Sequence, residues 1–410
     1  MKSRIIKGSL ILLIGFGLFN FLNFLYQSAM ASLLSVTDYG ILAALGAIIY
    51  IFTIFSESIQ TVVAKYAVSN SNDEGRIKNL IKRSMRKSRY FATLSFGLYL
   101  IISIVLSIVL SIPYFLLALT GLLIYVVFLL PITRGAMQGL QQFTALSTSL
   151  VLESLFKLIL GIVFVLLGWR VYGAIGGFLI GALFAFVISF MPLRKILKSN
   201  EKPFNAINIY SYAKPTTFIT AIIVLFSSID VLVVQILFNP ETAGAYSIAS
   251  ILGKIVMWVS VPIGKAMFPL SAESQEQPLR NKKIFKTALI IICLLISGAV
   301  GFFALFSNAT IYIFSHKVLP EAVAILPYLA IAFGFVALAN VILLYKLSIG
   351  RVRGYSWLII YNIIEILLFF IAPRTMISFV LAFVLSSAIL FIGSIFAMND
   401  KKLVRYRDSP

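Results

Sequence analysis

Glu153, Lys157, Asp230 and Lys254 stand inside apolar runs. If those runs cross a bilayer, each such charge costs at least about 2.5 kcal/mol and should face a partner or a cavity. Asp230 and Lys254 lie on consecutive runs separated by the turn Asn239-Pro240-Glu241-Thr242, so antiparallel helices would bring them toward one another. Two readings follow. The pair is either a buried ion pair that pins two helices, or Lys254 binds an anionic group in a cavity and Asp230 tunes it. Ser247, Ser250 and Lys254 share one helical face at i, i+3 and i+7, which suits a polar wall.

Glu153 and Lys157 are spaced i, i+4, in the favourable Glu-to-Lys order. They read either as a self-neutralising pair or as a lysine offered to the same cavity. Asn20, Asn23 and Gln27 fall within one arc of the first run. They serve either as hydrogen-bond glue between helices or as a lining suited to sugar hydroxyls and headgroups. Glu57 lies two turns before Lys65 and is a candidate for proton or ion coupling. Arg134 and Lys346 end their runs, where snorkelling to the interface is expected. The cluster Gly173, Gly176, Gly177 and Gly181, with Pro262 and Gly264 later, marks bends or close packing.

Other chemistries find no support. Phosphate-binding loop, nucleophile elbow and zinc motifs are missing from the sequence. The lone histidine, His316, and the lone cysteine, Cys293, exclude a multi-His centre and an intramolecular disulfide. Neither a covalent nor a hydrolytic mechanism is indicated, so no cofactor and no enzymatic activity are expected.

The elements that must position these residues are membrane spans. Of the 410 residues, 60% are apolar and 12% charged. The apolar residues come in runs of about 20, the length that crosses a hydrocarbon core of roughly 30 Å. Twelve helical spans are expected, at 8–33, 40–64, 89–110, 114–133, 144–168, 172–192, 212–237, 243–268, 285–307, 322–347, 355–373 and 376–397. The first exceeds a typical signal-peptide core and is read as retained. A charged surface helix is expected within 72–88.

The net charge of +20 lies between the runs, so topogenic charge facing anionic lipid explains it better than nucleic-acid binding. One side receives the amino terminus, the basic segment from Arg76 to Arg89, Arg134, the run from Arg194 to Lys202, the run from Arg280 to Lys286, Arg351, Arg353 and the basic tail. The other receives Arg170, Lys317 and Arg374 beside Asp38, Glu241 and Glu321. An even number of spans with both termini cytoplasmic fits this bias.

The chain also echoes itself. Leu34-Ser35-Val36-Thr37-Asp38-Tyr39-Gly40 resembles Phe238-Asn239-Pro240-Glu241-Thr242-Ala243-Gly244. Gly139-Leu140-Gln141-Gln142-Phe143, with Glu153 ten residues on, resembles Gly350-Arg351-Val352-Arg353-Gly354-Tyr355, with Glu365 ten residues on. Two echoes at similar offsets indicate two related halves. The expected division is 1–199 and 200–410, six spans each. Phe369 stands where a second-half counterpart of Lys157 would be, so the halves are not chemically equivalent.

At these motifs the chain resembles a known family. The segment from Leu33 to Ala44, the stretch from Arg134 to Phe143 followed by Glu153, and the segment from Ile229 to Ala249 are similar to signatures of polysaccharide (O-antigen-type) flippases. That family belongs to the superfamily that includes multidrug and toxin extruders. The resemblance implies an all-α membrane protein with a MATE-like fold: two six-helix bundles facing each other as a V, a central cavity and alternating access. Span one lacks the arginines expected of peptidoglycan-precursor flippases, which argues against that substrate.

The expected function is translocation of a polyprenyl-pyrophosphate oligosaccharide across the cytoplasmic membrane. Lys157 and Lys254 would attract the phosphates, while Asn20, Asn23, Gln27 and Ser250 would meet the glycan. Asp230, Glu153 and Glu57 are the expected charge partners or coupling groups. The alternative is an ion-coupled exporter of organic cations. A glycan polymerase or ligase is disfavoured by the shortness of the loop from Ser307 to Glu321. Expected partners are the lipid-linked oligosaccharide, membrane lipids and glycan-synthesis proteins, with no nucleic acid and a monomeric chain.

Overall fold

The computed structural model describes residues 2–70, 73–203, 214–273, 277–351 and 354–398, with side chains from residue 10 onward except at 214, 269, 272, 273 and 278. Among the described residues the structure is helical, with no strand. This is the arrangement a chain must adopt when lipid offers no partners for backbone N–H and C=O groups. Ten segments among the described residues are long and apolar enough to cross a membrane, and Tyr355–Ile371 is a shorter apolar helix. The chain divides into two compact units, Met1–Ala213 and Lys214–Pro410.

The first unit contains α1 (Lys2–Leu33), α2 (Val36–Ser69), α3 (Glu74–Val109), α4 (Tyr114–Gly121), α5 (Leu123–Gly139), α6 (Phe143–Phe164), α7 (Arg170–Ile188) and the short α8 (Arg194–Lys198). Ser35 caps α2 by accepting from the Asp38 backbone N–H at 3.0 Å, so the turn of the first repeat motif is a helix start. The expected surface helix and third span are one element. At about 1.5 Å per residue the 36 residues of α3 reach about 54 Å, well beyond a bilayer core. Its amphipathic first half places Ile77, Leu80 and Ile81 against Ile132, Leu150 and Leu193.

The segment Phe143–Ile188 is continuous by length but folds back on itself. Gly168 at φ +89° and Arg170 at φ +46° break the helical path. Beyond the break, α7 returns along α6. A methyl group on Gly177 would lie 2.3 Å from the Gly161 nitrogen, and one on Gly181 would lie 2.6 Å from the Lys157 nitrogen. The glycine cluster therefore sets backbone-to-backbone packing beside the buried lysine.

The second unit contains α9 (Lys214–Phe226), α10 (Ile229–Leu237), α11 (Pro240–Glu273), α12 (Pro278–Ser315), α13 (Pro320–Ser348), α14 (Ile359–Ile371) and α15 (Met376–Phe396). The seventh expected span, 212–237, is two helices rather than one. Ser227 and Ser228 interrupt it, each hydroxyl donating to the Val224 carbonyl, at 3.1 and 2.7 Å. Such back-bonding satisfies carbonyls that the broken helix no longer uses. It leaves Asp230 in the first turn of α10, where the helix dipole favours a negative charge. Proline opens α11, α12 and α13, a position where its missing N–H costs nothing.

Both expected snorkelling residues are buried. Lys346 is 6% exposed, and its Nζ donates to the Ile395 carbonyl at 2.6 Å and to that of Ala397, at the end of α15. Unpaired carbonyls at a helix terminus attract a cation more strongly than a distant interface does. Arg134 is 8% exposed and turned inward for a different reason, given below.

Candidate functional site: two buried polar clusters

Each unit carries one buried cluster of charged side chains. In the first, Arg134 of α5 meets α6. Its guanidinium donates to Glu153 Oε2 at 2.6 Å and to the Ser149 carbonyl and hydroxyl at 3.0 and 3.2 Å. The i, i+4 spacing expects Glu153 to serve Lys157, but the carboxylate is engaged by Arg134. A guanidinium fork reaches both a carboxylate and a nearby carbonyl, which a lysine cannot do.

Lys157 is consequently held by uncharged groups. Its Nζ donates to Asn23 Oδ1 at 3.0 Å and lies 4.3 Å from the Tyr26 ring centre and 4.1 Å from that of Phe178. Ring faces carry negative electrostatic potential and stabilise a cation where water is scarce. Tyr26 is fixed by its own hydroxyl, which donates to the Ala174 carbonyl at 3.0 Å. Among the described residues, no carboxylate lies within ion-pair distance of Lys157. The cluster Arg134, Glu153 and Lys157 has a formal charge of +1 from two cations and one acid.

The polar arc of α1 separates by role. Asn23 joins Lys157, and Gln27 accepts from the Tyr39 hydroxyl at 3.3 Å. Asn20 is exposed and donates back to the Phe16 carbonyl at 2.9 Å, so it lies outside the cluster. Glu57 is also exposed, on α2.

In the second unit, Asp230 is fully buried and saturated with donors. It accepts from Ser250 at 2.7 Å, Tyr246 at 3.1 Å and Lys254 Nζ at 3.3 Å. Lys254 also lies 5.5 Å from the Phe333 ring centre. The two side chains are thus an ion pair, an arrangement that both readings of the pair accommodate. Ser247 shares the face of Ser250 but donates to the Ala243 carbonyl at 2.8 Å. Ser250 serves Asp230 in this structure.

Sequence reading singled out Glu365 of α14 only as the repeat counterpart of Glu153 and gave it no role in the site. It is fully buried within electrostatic reach of Asp230 and Lys254, and neither carboxyl oxygen has a hydrogen-bond partner among the described residues. Asn362, one turn earlier, donates to the Ile222 carbonyl at 3.3 Å. The available signal was the repeat itself, since Glu365 occupies the counterpart position of Glu153.

The ends of the first unit sort by charge. At one end, Lys82 and Asn79 of α3 hold Glu201, Lys195 pairs with Glu74, and Lys202 pairs with Asp73. At the α1–α2 turn, Asp38 pairs with Arg170 at 2.8 Å. Two of the segments assigned by charge to one side, 73–82 and 195–202, are thus in mutual contact, as are Asp38 and Arg170 of the other group.

Comparison with known proteins bears on both fold and family. No curated protein matches the sequence. Among solved structures, an inward-facing multidrug resistance MATE family transporter of the MOP superfamily superposes with a TM-score of 0.74 at 12% identity, covering 92% of this chain and 94% of that one. The lipid II flippase MurJ, in an inward closed conformation, gives 0.71 at 16% identity, covering 94% and 87%. A MOP superfamily transporter from Pyrococcus furiosus, described as having a binding pocket of reversed polarity, gives 0.62 at 16% identity, covering 96% and 95%. Residues 5–275 match the family described as polysaccharide biosynthesis protein. The chain belongs to the polysaccharide biosynthesis protein family, as a multi-pass membrane protein built on the MATE-like transporter fold.

Proposed function

We propose that this protein is a flippase that moves a polyprenyl-pyrophosphate oligosaccharide across the cytoplasmic membrane by alternating access. The observation that carries the reading is Lys157, a buried cation with uncharged partners and a net-positive cluster around it. A cation left unneutralised in a low-dielectric setting attracts a diphosphate strongly. Asn23 and Gln27 are neutral hydrogen-bonding groups nearby on α1, suited to glycan hydroxyls.

Twelve crossings in two related halves are part of this proposal. Support comes from the hairpin of α6 and α7, which makes two crossings of one long segment, and from the pair α14 and α15 that follows α13. Six crossings then fall in each half, divided near 199–213. Both termini are placed on the cytoplasmic side with the basic loops. Partners are the lipid-linked substrate and glycan-synthesis proteins, and the carrier performs no covalent chemistry.

Lys254 is assigned a secondary role. With Asp230 already paired to it, its Nζ reaches a phosphate only by releasing that carboxylate. A second reading, an ion-coupled exporter of organic cations, draws on Glu365, a buried acid without a hydrogen-bond partner among the described residues.

The deciding measurement uses proteoliposomes loaded with either a polyprenyl-pyrophosphate disaccharide or a fluorescent organic cation. The flippase reading expects translocation of the disaccharide, lost in Lys157→Ala at unchanged protein level. Full disaccharide transport by Lys157→Ala removes the site assignment. Transport of the cation alone removes the function.

A further inference from the structure

Three helices build the surroundings of Lys157, each with residues one turn apart on one face. α1 supplies Asn23 and Tyr26 at i, i+3, α6 supplies Lys157 and Gly161 at i, i+4, and α7 supplies Ala174 and Phe178 at i, i+4. Asn23 donates its Nδ2 to the Phe19 carbonyl at 2.9 Å, which leaves Oδ1 to accept from Lys157. Gly161 makes room for the Tyr26 ring, since a methyl group there would lie 2.8 Å from Tyr26 Cε2. The Ala174 carbonyl holds the Tyr26 hydroxyl at 3.0 Å, and Phe178, one turn along α7, supplies the second ring.

An ammonium has three N–H donors and no acceptor. Asn23 Oδ1 takes one at 3.0 Å, and the two rings, centred 4.3 and 4.1 Å from Nζ, complete a cage within cation–ring range. A phosphate oxygen that accepts from Nζ must therefore replace one of these partners. A cation–ring contact is worth less than a hydrogen bond to a charged group, so a ring is the partner to leave. The second unit is built otherwise. Lys254 has a ring at 5.5 Å and the Asp230 carboxylate at 3.3 Å, so freeing it means separating a buried ion pair.

We propose that Tyr26 and Phe178 are positioning residues that compete with the substrate for Lys157. The rings keep the ammonium in place, yield it to a phosphate oxygen, and take it back as the phosphate leaves. The inference rests on the diphosphate reading of Lys157 given above and adds a release step to it. A buried cation with no other partner to return to would hold a diphosphate too tightly for a carrier that must let it go.

The test replaces Phe178 in the full chain by mono-, di- and trifluorinated phenylalanine. Fluorine weakens the negative potential of the ring face and changes its size little, which separates charge from packing. Without substrate, the melting temperature in detergent should fall stepwise with fluorine number, and should stay constant in a Lys157→Met background. No shift, or equal shifts in both backgrounds, overturns the cage whatever the protein transports. In proteoliposomes with the polyprenyl-pyrophosphate disaccharide, the trifluorinated protein should reach half-maximal rate at about five-fold less substrate, the scale of one cation–ring contact. Its maximal rate should fall, because release is slowed. A higher half-saturating concentration means that the rings present the lysine rather than compete for it, and an unchanged one that they play no part; either overturns the exchange. Wild-type affinity in Lys157→Met overturns the diphosphate reading itself, and the substrate-free melting series distinguishes that failure from failure of the cage.

Discussion

Arg134 and Glu153 close a 2.6 Å ion pair at 10 and 14% side-chain exposure, and so deny Lys157 the acid one turn away. The pair determines the charge of the first cluster. Without Arg134, Glu153 would be free to neutralise Lys157. With it, the lysine remains a cation held by an amide oxygen and two rings.

Arg134→Met should therefore act twice. Removing one partner of a buried pair costs about 3–5 kcal/mol, because the other charge is left uncompensated. It should also divert Glu153 to Lys157 and abolish disaccharide translocation. Arg134→Met/Glu153→Gln should recover most of the lost stability, measured as melting temperature in detergent, and regain transport because Lys157 is freed again.

Lys157→Met should leave the melting temperature unchanged or raise it, since it replaces a buried charge that has no acid within ion-pair distance with an apolar chain of similar length. Transport should nevertheless fall at least about ten-fold, the loss of one charge-assisted contact of about 1.5 kcal/mol or more. A lysine that served only to hold α1 to α6 would show the opposite: lower stability with residual activity in the folded fraction.

The second cluster predicts an asymmetry between its two acids. Asp230→Ala strands Lys254 and removes the acceptor of Tyr246 and Ser250, and should cost about 3–5 kcal/mol. Glu365→Gln should be tolerated, because Lys254 balances only one carboxylate and a neutral amide matches the second position better. Equal losses in both variants would show that Glu365 has a strong partner.

Between α6 and α7, backbone proximity predicts a graded glycine series. Gly181→Ala places a methyl group 2.6 Å from the Lys157 nitrogen and should cost about 1–3 kcal/mol through overpacking, while also shifting the lysine. Gly176→Ala, whose nearest contact is Phe164 Cδ2 at 3.8 Å, should be neutral or gain up to about 1 kcal/mol of helix propensity. Thermal melts of the two variants provide the comparison.

At the end of the first unit, the latch between α3 and residues 199–203 should open in acid. The carboxyls of Asp73 and Glu201 are both held below their ordinary range, chiefly by hydrogen bonds from Lys202 and Lys82. A depressed carboxyl contributes stability above its unfolded pKa of about 4 and loses it as pH falls through the folded value. Amide hydrogen exchange in 199–203 should accelerate below about pH 4, relative to the trend of the neighbouring helix α8.

The membrane-spanning character of the chain and its helices were legible in the sequence. They rest on local quantities: the length of an apolar run and the sign of the charge beside it. The neighbourhood of Asp230 and Lys254 was legible for the same reason, since one short turn separates their helices. The i, i+4 spacing of Glu153 and Lys157 misled because it describes one helix in isolation. Tertiary packing brought Arg134 from α5, and a guanidinium fork outcompetes a lysine for the carboxylate.

Other assignments could be made only by contacts far apart in the chain. Lys346 faces carbonyls about 50 residues away, Lys157 meets Asn23 across 134 residues, and Asn20 falls outside the cluster that its neighbour Asn23 joins. Periodicity places a side chain on an arc of its helix, but not against a particular neighbour. Sequence by itself determined which segments leave water and which residues carry charge into them. Only the tertiary structure decided which of those charges are cancelled, because cancellation depends on atoms within about 4 Å that the chain order does not bring together.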